Sequence, residues 1–107
     1  MSLEKKKCVP CEGGVDKLGA DKVQELLREV EGWEVHDEKL HRTFQFKNFV
    51  IAMDFVNKLS DIAEGEGHHP DFCVHYNRVD VTLWTHAING LTENDFIVAA
   101  KLDKIRV

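Results

Sequence analysis

Apolar residues recur along the chain with two different periods, and the alternation of these periods predicts three helices and four strands. The first helix is expected at about residues 20–31, because four residues share one helical face: Val23, Leu26, Leu27 and Val30. Asn48 is a good N-cap for a longer apolar stripe that runs to about Glu64. A third helix is expected after Thr92, which with Asp95 comes close to a capping box.

Between the helices, alternating apolar and polar residues predict two β-hairpins. The first covers residues 33–46 around a turn at 37–39, and Arg42 falls on its apolar face, which indicates a position near a sheet margin. The second covers residues 72–86 around a turn at Asn77-Arg78. The order α-β-β-α-β-β-α predicts an α+β two-layer sandwich, in which helices cover one face of a four-stranded antiparallel sheet.

Composition favours one globular domain of ordinary chemistry. The 107 residues are 43% apolar and 31% charged, and we expect a single domain at 18–107 after a flexible N-terminal segment at 1–17. A net charge of −5 argues against nucleic acid as a partner. No apolar run approaches the roughly 20 residues of a membrane span, and no signal peptide is apparent. An odd count of three cysteines then favours reduced thiols and a cytoplasmic location.

Cys8 and Cys11 form a CxxC pair inside the N-terminal segment. A zinc ribbon needs a second pair, and Cys73 stands alone. A thioredoxin-like motif should open a helix after a strand, and no strand is predicted before residue 8. We interpret the pair as exposed and non-essential, while opportunistic metal binding or an intermolecular disulfide stays open.

Four of the six histidines lie within residues 64–86. With Asn77-Arg78 as the turn, Tyr76 pairs with Val79, and the same register places His69 opposite His86. His68 precedes His69 directly, so three imidazoles are expected at one end of the sheet.

Clustered imidazoles suit general acid–base catalysis, because imidazole gives and takes protons near neutral pH. Glu64 lies one helical turn before His68, where its carboxylate could fix the tautomer of a ring. Two alternatives stay open: surface histidines that meet by chance, and a zinc site. Zinc is disfavoured because adjacent residues such as His68 and His69 rarely aim at one ion. Trp84, predicted on the polar face of the last strand, could mark a ligand or subunit contact.

The histidine segment belongs to a longer series of spaced motifs. In chain order they are Gly32-Trp33, F-x-F-K-N-F at 44–49, E-G-E-G-H-H-P at 64–70, Y-N-x-V at 76–79 and T-H-x-x-x-G-L-T-x-x-D at 85–95. Together they resemble the signature of the pterin-4a-carbinolamine dehydratase family, over roughly residues 18–106. The order and spacing of several motifs make this resemblance far more specific than the histidine count.

The resemblance implies the fold predicted above and the activity of a hydro-lyase. Members of the family remove water from 4a-hydroxytetrahydropterin to give quinonoid dihydropterin, in tetrahydrobiopterin recycling beside an aromatic amino acid hydroxylase. No metal or organic cofactor is implied, and a homodimer or homotetramer is expected. The implied catalytic residues are His68, His69 and His86. The implied substrate-binding or orienting residues are Glu64, Pro70, Trp33 and Asp95.

Our hypothesis is that His68 and His86 are the acid–base pair, that His69 mainly holds the pterin, and that Glu64 tunes one imidazole. The chain departs from the family at Gly67, where relatives carry an acidic residue, and at Trp84, where they carry a small one. The alternative function is a non-catalytic oligomeric interaction scaffold of the same fold. Animal relatives also act as dimerisation cofactors for a homeodomain transcription factor, and nothing in this sequence favours transferring that role to this chain.

Overall fold

A computed structural model describes residues 3–8 and 17–107 of the chain. Cys11 lies outside these residues, so only Cys8 of the CxxC pair can be compared with its interpretation, and Cys8 is half-buried and not exposed. The elements follow the predicted order, with two short 3₁₀ helices added. They are a 3₁₀ helix at Leu3–Lys5, α1 (Ala20–Leu27), β1 (Glu34–His36), β2 (Lys39–Gln45), α2 (Phe49–Glu66), β3 (Asp71–His75), β4 (Arg78–Leu83), a 3₁₀ helix at His86–Ile88 and α3 (Glu93–Asp103).

The four strands form one antiparallel sheet in the order β1-β2-β4-β3, so the two hairpins meet where β2 pairs with β4. One face of the sheet joins the helices in a single apolar core. Its fully buried strand residues are Leu40, Val79, Val81 and Leu83. The other face is polar, and Thr43 there donates a hydrogen bond to Asp80 over 2.8 Å. The predicted α+β sandwich is therefore confirmed.

The second hairpin turns one residue earlier than the sequence predicted. His75 pairs with Arg78, so Tyr76 and Asn77 form the turn, and Tyr76 takes the left-handed conformation with φ 53°. Asn77 is held by Phe46, the residue that follows β2: its backbone carbonyl accepts from the Phe46 N–H and its side chain donates to the Phe46 carbonyl. The predicted pairing was wrong by two residues, which keeps every side chain on its predicted face because faces alternate with a period of two.

Two helix ends also differ from the expected positions. α1 stops at Leu27, and the chain then tightens into i→i−3 hydrogen bonds that still bury Val30. α2 runs through Gly65 to Glu66 and ends at Gly67, whose φ of 65° is the left-handed C-cap conformation. The two additional residues of α2 and the left-handed Gly67 set the direction of the histidine segment that follows.

Gly65→Ala is expected to raise the free energy of unfolding by about 0.5–1 kcal/mol, because alanine costs less backbone entropy than glycine in a helix. A Cβ at Gly65 meets nothing within 4 Å. Gly67→Ala is the matched control: its Cβ also meets nothing, but φ is 65°, so alanine is expected to destabilise by about 1 kcal/mol. Urea unfolding measures both, and effects of the same sign would contradict this explanation.

Arg42 lies at a sheet margin, as the sequence predicted. Pairing between β1 and β2 stops at His41, so Arg42 is beyond the end of β1. Its guanidinium donates to Asp103 Oδ1 over 2.8 Å and to the Glu31 carbonyl over 3.0 Å. Burial raises the pKa of the Asp103 carboxyl, against the opposing effects of the Trp33 hydrogen bond and the Arg42 charge. The contact ties β2 to the end of α3.

Residues 3–8 pack along α3. Leu3 is buried in the core, Lys101 donates to the Glu4 carbonyl over 2.7 Å, and Lys6 pairs with Glu93 over 2.9 Å. This part of the N-terminal segment contacts the domain, while residues 9–16 of the segment predicted to be flexible lie outside those described.

Candidate active site

The three histidines of the sequence prediction line one open pocket of about 440 Å³. His68 and His69 follow the end of α2 and lead into β3, while His86 opens the 3₁₀ helix after β4. Because β3 and β4 are antiparallel, with Asp71 beside Thr82, the loop before β3 and the loop after β4 meet at the same end of the sheet. Pairing the strands in this way brings together imidazoles from two separate segments.

His68 is the least exposed of the three and bonds to a buried carboxylate. Its Nε2 lies 2.6 Å from Asp95 Oδ1, with the His68 side chain 12% exposed and that of Asp95 0% exposed. A carboxylate accepts hydrogen bonds, so Nε2 carries the proton and Nδ1 is the nitrogen left for the pocket. The Asp95 carboxylate therefore fixes both the orientation and the tautomer of this ring.

Asp95 itself is held by the start of α3. Its Oδ2 accepts from the Thr85 hydroxyl over 2.9 Å and from the Thr92 backbone N–H over 3.0 Å. The Thr85 and Thr92 hydroxyls lie 2.8 Å apart, so Thr92 donates to Thr85 and Thr85 donates to Asp95. The capping box predicted at Thr92 is present. One carboxylate thus caps a helix with one oxygen and orients a pocket imidazole with the other.

His69 and Glu64 form a second imidazole–carboxylate contact, at the surface. His69 Nε2 bonds to Glu64 Oε2, and both side chains are mostly exposed. Glu64, which lies one helical turn before His68 in the sequence and was not assigned to either ring, contacts His69 and not His68. The reason is that α2 continues past Glu64 and the left-handed turn at Gly67 directs His68 inward, toward Asp95. Solvent screens the exposed pair, so its attraction is weak.

Pro70 and Trp33 do not line the histidine pocket. Pro70 is buried beside His69, under the loop that leads into β3. Trp33 is 4% exposed in the core, where its Nε1 donates to Asp103 over 2.9 Å and its ring meets Phe44 edge-on at 5.9 Å between centroids. The structure therefore brings together the three histidines, Asp95 and Glu64, and leaves Trp33 in a structural position.

Sequence reasoning missed Glu66 and Cys8, which also line the pocket. Glu66 Oε1 accepts from the Cys8 backbone N–H over 2.9 Å, and its Oε2 lies 3.7 Å from Lys101 Nζ. The Cys8 hydrogen bond, and then the Lys101 and Lys7 charges, hold the pKa of Glu66 below its usual value, against the effect of burial. In the sequence, only the closeness of Glu66 to His68 could have indicated that Glu66 lies at the site. No sequence pattern links Cys8 to Glu66, because the two residues are 58 positions apart.

Cys8 is expected to react slowly with iodoacetamide, because burial, and then the Glu66 charge, raise the pKa of its thiol to about 12. At pH 8 a thiol with that pKa is ionised in roughly one molecule in 10⁴, and only the thiolate is nucleophilic. Exposed Cys73 is the internal comparison, measured by peptide mass spectrometry in a Cys11→Ser variant. Equal alkylation rates at Cys8 and Cys73 would show that the Cys8 site is open and its thiol ordinary.

Two features are absent from the part of the chain that the structure describes. Residues 3–8 and 17–107 contain no group of three or more His, Cys, Asp and Glu side chains placed to hold a metal ion. Within the same residues, no helix has the length and apolar character that a membrane crossing requires. The expected absence of a cofactor stays a prediction.

The fold and the pocket first define a class of protein: a small α+β domain with three imidazoles in one pocket at the end of its sheet, side chains that can give and take protons. Comparison with known sequences narrows the class. The model of the family described as Pterin 4 alpha carbinolamine dehydratase matches residues 16–105. A relative from Rubrobacter xylanophilus that bears this family name is 49% identical over 104 residues, covering 96% of this chain and 97% of its own.

A plant relative and a solved structure agree with this family. Pterin-4-alpha-carbinolamine dehydratase 2, mitochondrial, of Arabidopsis thaliana is 46% identical over 98% of this chain and 59% of its own length. The crystal structure of a protein described as transcriptional coactivator/pterin dehydratase from Brucella melitensis is 41% identical, with a TM-score of 0.79, over 82% of this chain and 96% of that one. The chain belongs to the pterin-4-alpha-carbinolamine dehydratase family, a family of hydro-lyases, and the predicted family is confirmed.

Proposed function

We propose that the protein dehydrates 4a-hydroxytetrahydropterin to quinonoid dihydropterin, with pocket histidines as general acid and base. The reaction breaks the C4a–O bond, releases the N5 proton and forms a C4a–N5 double bond. Protonating the hydroxyl makes water the leaving group, and a base collects the proton from N5. The observation that carries the proposal is the position of His68, bonded to buried Asp95 and sharing a pocket with His86.

The different neighbours of the two rings favour different roles. The Asp95 carboxylate beside His68 stabilises the positive charge that the imidazole takes on when it accepts a proton. No carboxylate among the described residues lies within hydrogen-bonding distance of the His86 ring, so no neighbouring anion opposes transfer of a proton from this ring to the substrate. We therefore assign His68 as the base that takes the N5 proton, through Nδ1, and His86 as the acid that protonates the leaving hydroxyl.

His69 and Glu64 act at the rim of the pocket. Their mutual hydrogen bond orients an exposed imidazole that can hold the flat pterin without taking part in proton transfer. The volume of about 440 Å³ is within the roughly 300–1,000 Å³ of small-molecule sites. We assign Glu64, through this contact, to orienting His69, the ring assigned to binding.

The test is to mix the protein with an aromatic amino acid hydroxylase that generates the 4a-carbinolamine and to follow the decay of that intermediate by its absorbance. The protein is expected to accelerate the decay. His75→Ala is a matched control, since His75 is an exposed histidine on β3 and does not line the pocket. A decay rate unchanged by the wild-type protein would refute the proposed function.

We also propose that this activity supports tetrahydrobiopterin recycling beside such a hydroxylase, in the cytoplasm, and that the chain forms a homodimer or homotetramer. β1 and β3 are the outer strands of an open sheet, and edges of this kind are commonly covered by pairing between subunits. Light scattering measures the mass in solution, and a monomer at assay concentration would contradict the oligomer.

A second candidate function is an interaction scaffold. The observation that favours it is an exposed apolar pair in the first turn of α2, where Phe49 is 47% exposed and Val50 is 75% exposed. The Brucella relative is described as both coactivator and dehydratase. A scaffold keeps its partner when His68 is replaced by alanine, whereas the dehydratase loses its activity, so one variant separates the two.

A further inference from the structure

We propose that Trp84 is a positioning residue for His86, held in place in turn by Lys39. The proposal rests on the proposed function in one respect: the orientation of His86 affects catalysis only if His86 is the general acid. The contact between the two rings is independent of that function.

The three pocket histidines differ in what holds them. His68 is bonded to Asp95 and His69 to Glu64, but the His86 ring makes no hydrogen bond to any residue that the structure describes. Its contact is with Trp84, at 4.2 Å between ring centroids and 33° between ring planes. This distance is slightly shorter than the roughly 4.5–7 Å of most aromatic pairs, so the two rings are in direct contact. The Trp84 indole is therefore the side chain that orients His86, as a carboxylate orients each of the other two imidazoles.

Trp84 is itself well anchored. It follows the last residue of β4, between Leu83, whose side chain is fully buried, and Thr85, whose N–H bonds to the Gly90 carbonyl over 2.8 Å. The Lys39 ammonium lies 4.6 Å from the centroid of the indole ring, a cation–π contact from the start of β2. The half-buried indole also lines the pocket. The end of β4, the hydrogen bond between Thr85 and Gly90, and Lys39 of β2 thus hold the indole in place. The indole in turn limits the rotation of the His86 imidazole.

A fixed imidazole matters because a general acid acts only within hydrogen-bonding reach of the atom it protonates. An exposed, unstacked His86 would sample orientations in which neither nitrogen faces the substrate. Losing the indole should therefore lower kcat more than it raises KM. The effect acts through His86, so Trp84 is a positioning residue and not a catalytic one.

The kinetic test compares Trp84→Phe with Trp84→Ser. Serine removes the stacked ring and is expected to lower kcat about tenfold with little change in KM, because the proton donor is less often in place. Phenylalanine keeps an aromatic face and is expected to restore most of kcat. Lys39→Met, which removes the charge above the indole, is expected to have a smaller effect of the same sign. Equal loss in the serine and phenylalanine variants, or full kcat in the serine variant, overturns the proposal.

A spectroscopic test reads the ring contact without the reaction. An imidazolium quenches a neighbouring indole more than a neutral imidazole does, so the emission of Trp84, taken as wild type minus Trp84→Phe, should show a pH step that disappears in His86→Asn. Subtraction removes the signal of Trp33. Lys39 faces the indole directly, and the other titratable groups that line the pocket are His68, His69, Glu66 and Cys8.

The two readouts separate the two proposals. If the wild-type protein leaves the carbinolamine decay unchanged, the proposed function fails, and the emission step still decides the contact. If the step persists in His86→Asn, or is absent from the wild type, the inference about Trp84 is overturned whatever the activity. Circular dichroism on each variant shows that it is folded before either readout is taken.

Discussion

Replacing His68 by alanine is expected to lower kcat by about 10²- to 10⁴-fold, the loss typical of a missing acid–base group. The His68 imidazole is hydrogen-bonded to a buried carboxylate at 2.6 Å, and alanine removes the Nδ1 atom that is assigned to take the N5 proton. Water entering the space would lack the fixed orientation that Asp95 imposes. The measurement is the single-turnover decay of the 4a-carbinolamine at saturating enzyme.

His86→Ala is expected to cause a loss of kcat in the same range, because the reaction needs both the acid that protonates the leaving hydroxyl and the base that takes the N5 proton. His69→Ala is the matched comparison, because this adjacent imidazole is exposed and is assigned to binding. Its substitution should raise KM with a smaller change in kcat. Full activity in both His68→Ala and His86→Ala would end the acid–base account, and a loss confined to His69→Ala would reverse the assignment.

The elements of the fold could be predicted because their signals are local. Apolar periodicity located each helix and strand, and Asn48 and Thr92 marked two helix starts that the structure confirms. The second hairpin shows the limit of local signals. Asn-Arg was predicted as the turn because asparagine tolerates positive φ, yet the chain turns at Tyr76 and Asn77, where Asn77 bonds to Phe46 just after β2. The two residues in this contact are 31 positions apart, so no local sequence pattern predicts it.

The site was predicted in outline for a related reason. The loop before β3 and the loop after β4 meet whether the strand pairing is the predicted one or is shifted by two residues. The error in the hairpin therefore did not affect the prediction that His68 and His69 lie near His86. The partners of the rings did not follow from spacing. Helical spacing put Glu64 near His68 without deciding which ring it contacts, and the two additional residues of α2 bring that carboxylate to His69.

The carboxylate that contacts His68 is that of Asp95, at the start of α3. The capping box in the sequence predicted its role as a helix cap but not its contact with His68. A residue at the third position of a helix normally turns one oxygen to the backbone and leaves the other to water. Here the packing of α3 against the end of the sheet removes the water and replaces it with an imidazole, so that Asp95 is fully buried. The same side chain therefore contributes to stability and to the proposed chemistry, and two substitutions can separate the contributions.

Asp95→Ala is expected to lower the free energy of unfolding by about 2–4 kcal/mol, because it removes a helix cap and leaves buried donors on Thr85 and His68 without their acceptor. Asp95→Asn keeps the shape and one acceptor oxygen, so it should cost less stability. It removes the charge that supports protonated His68 and is expected to lower kcat by at least about tenfold. Urea unfolding and carbinolamine decay on the same preparations measure the two effects.

Thr92→Ala is the control that completes this comparison. It removes the N-cap hydroxyl but leaves the Asp95 carboxylate beside His68, so stability should fall by about 1 kcal/mol while kcat stays close to that of the wild type. If Thr92→Ala and Asp95→Asn lowered kcat equally, the activity would be following the rigidity of the start of α3. The charge on Asp95 would then have no role of its own, and the assignment of His68 as a carboxylate-supported base would be wrong.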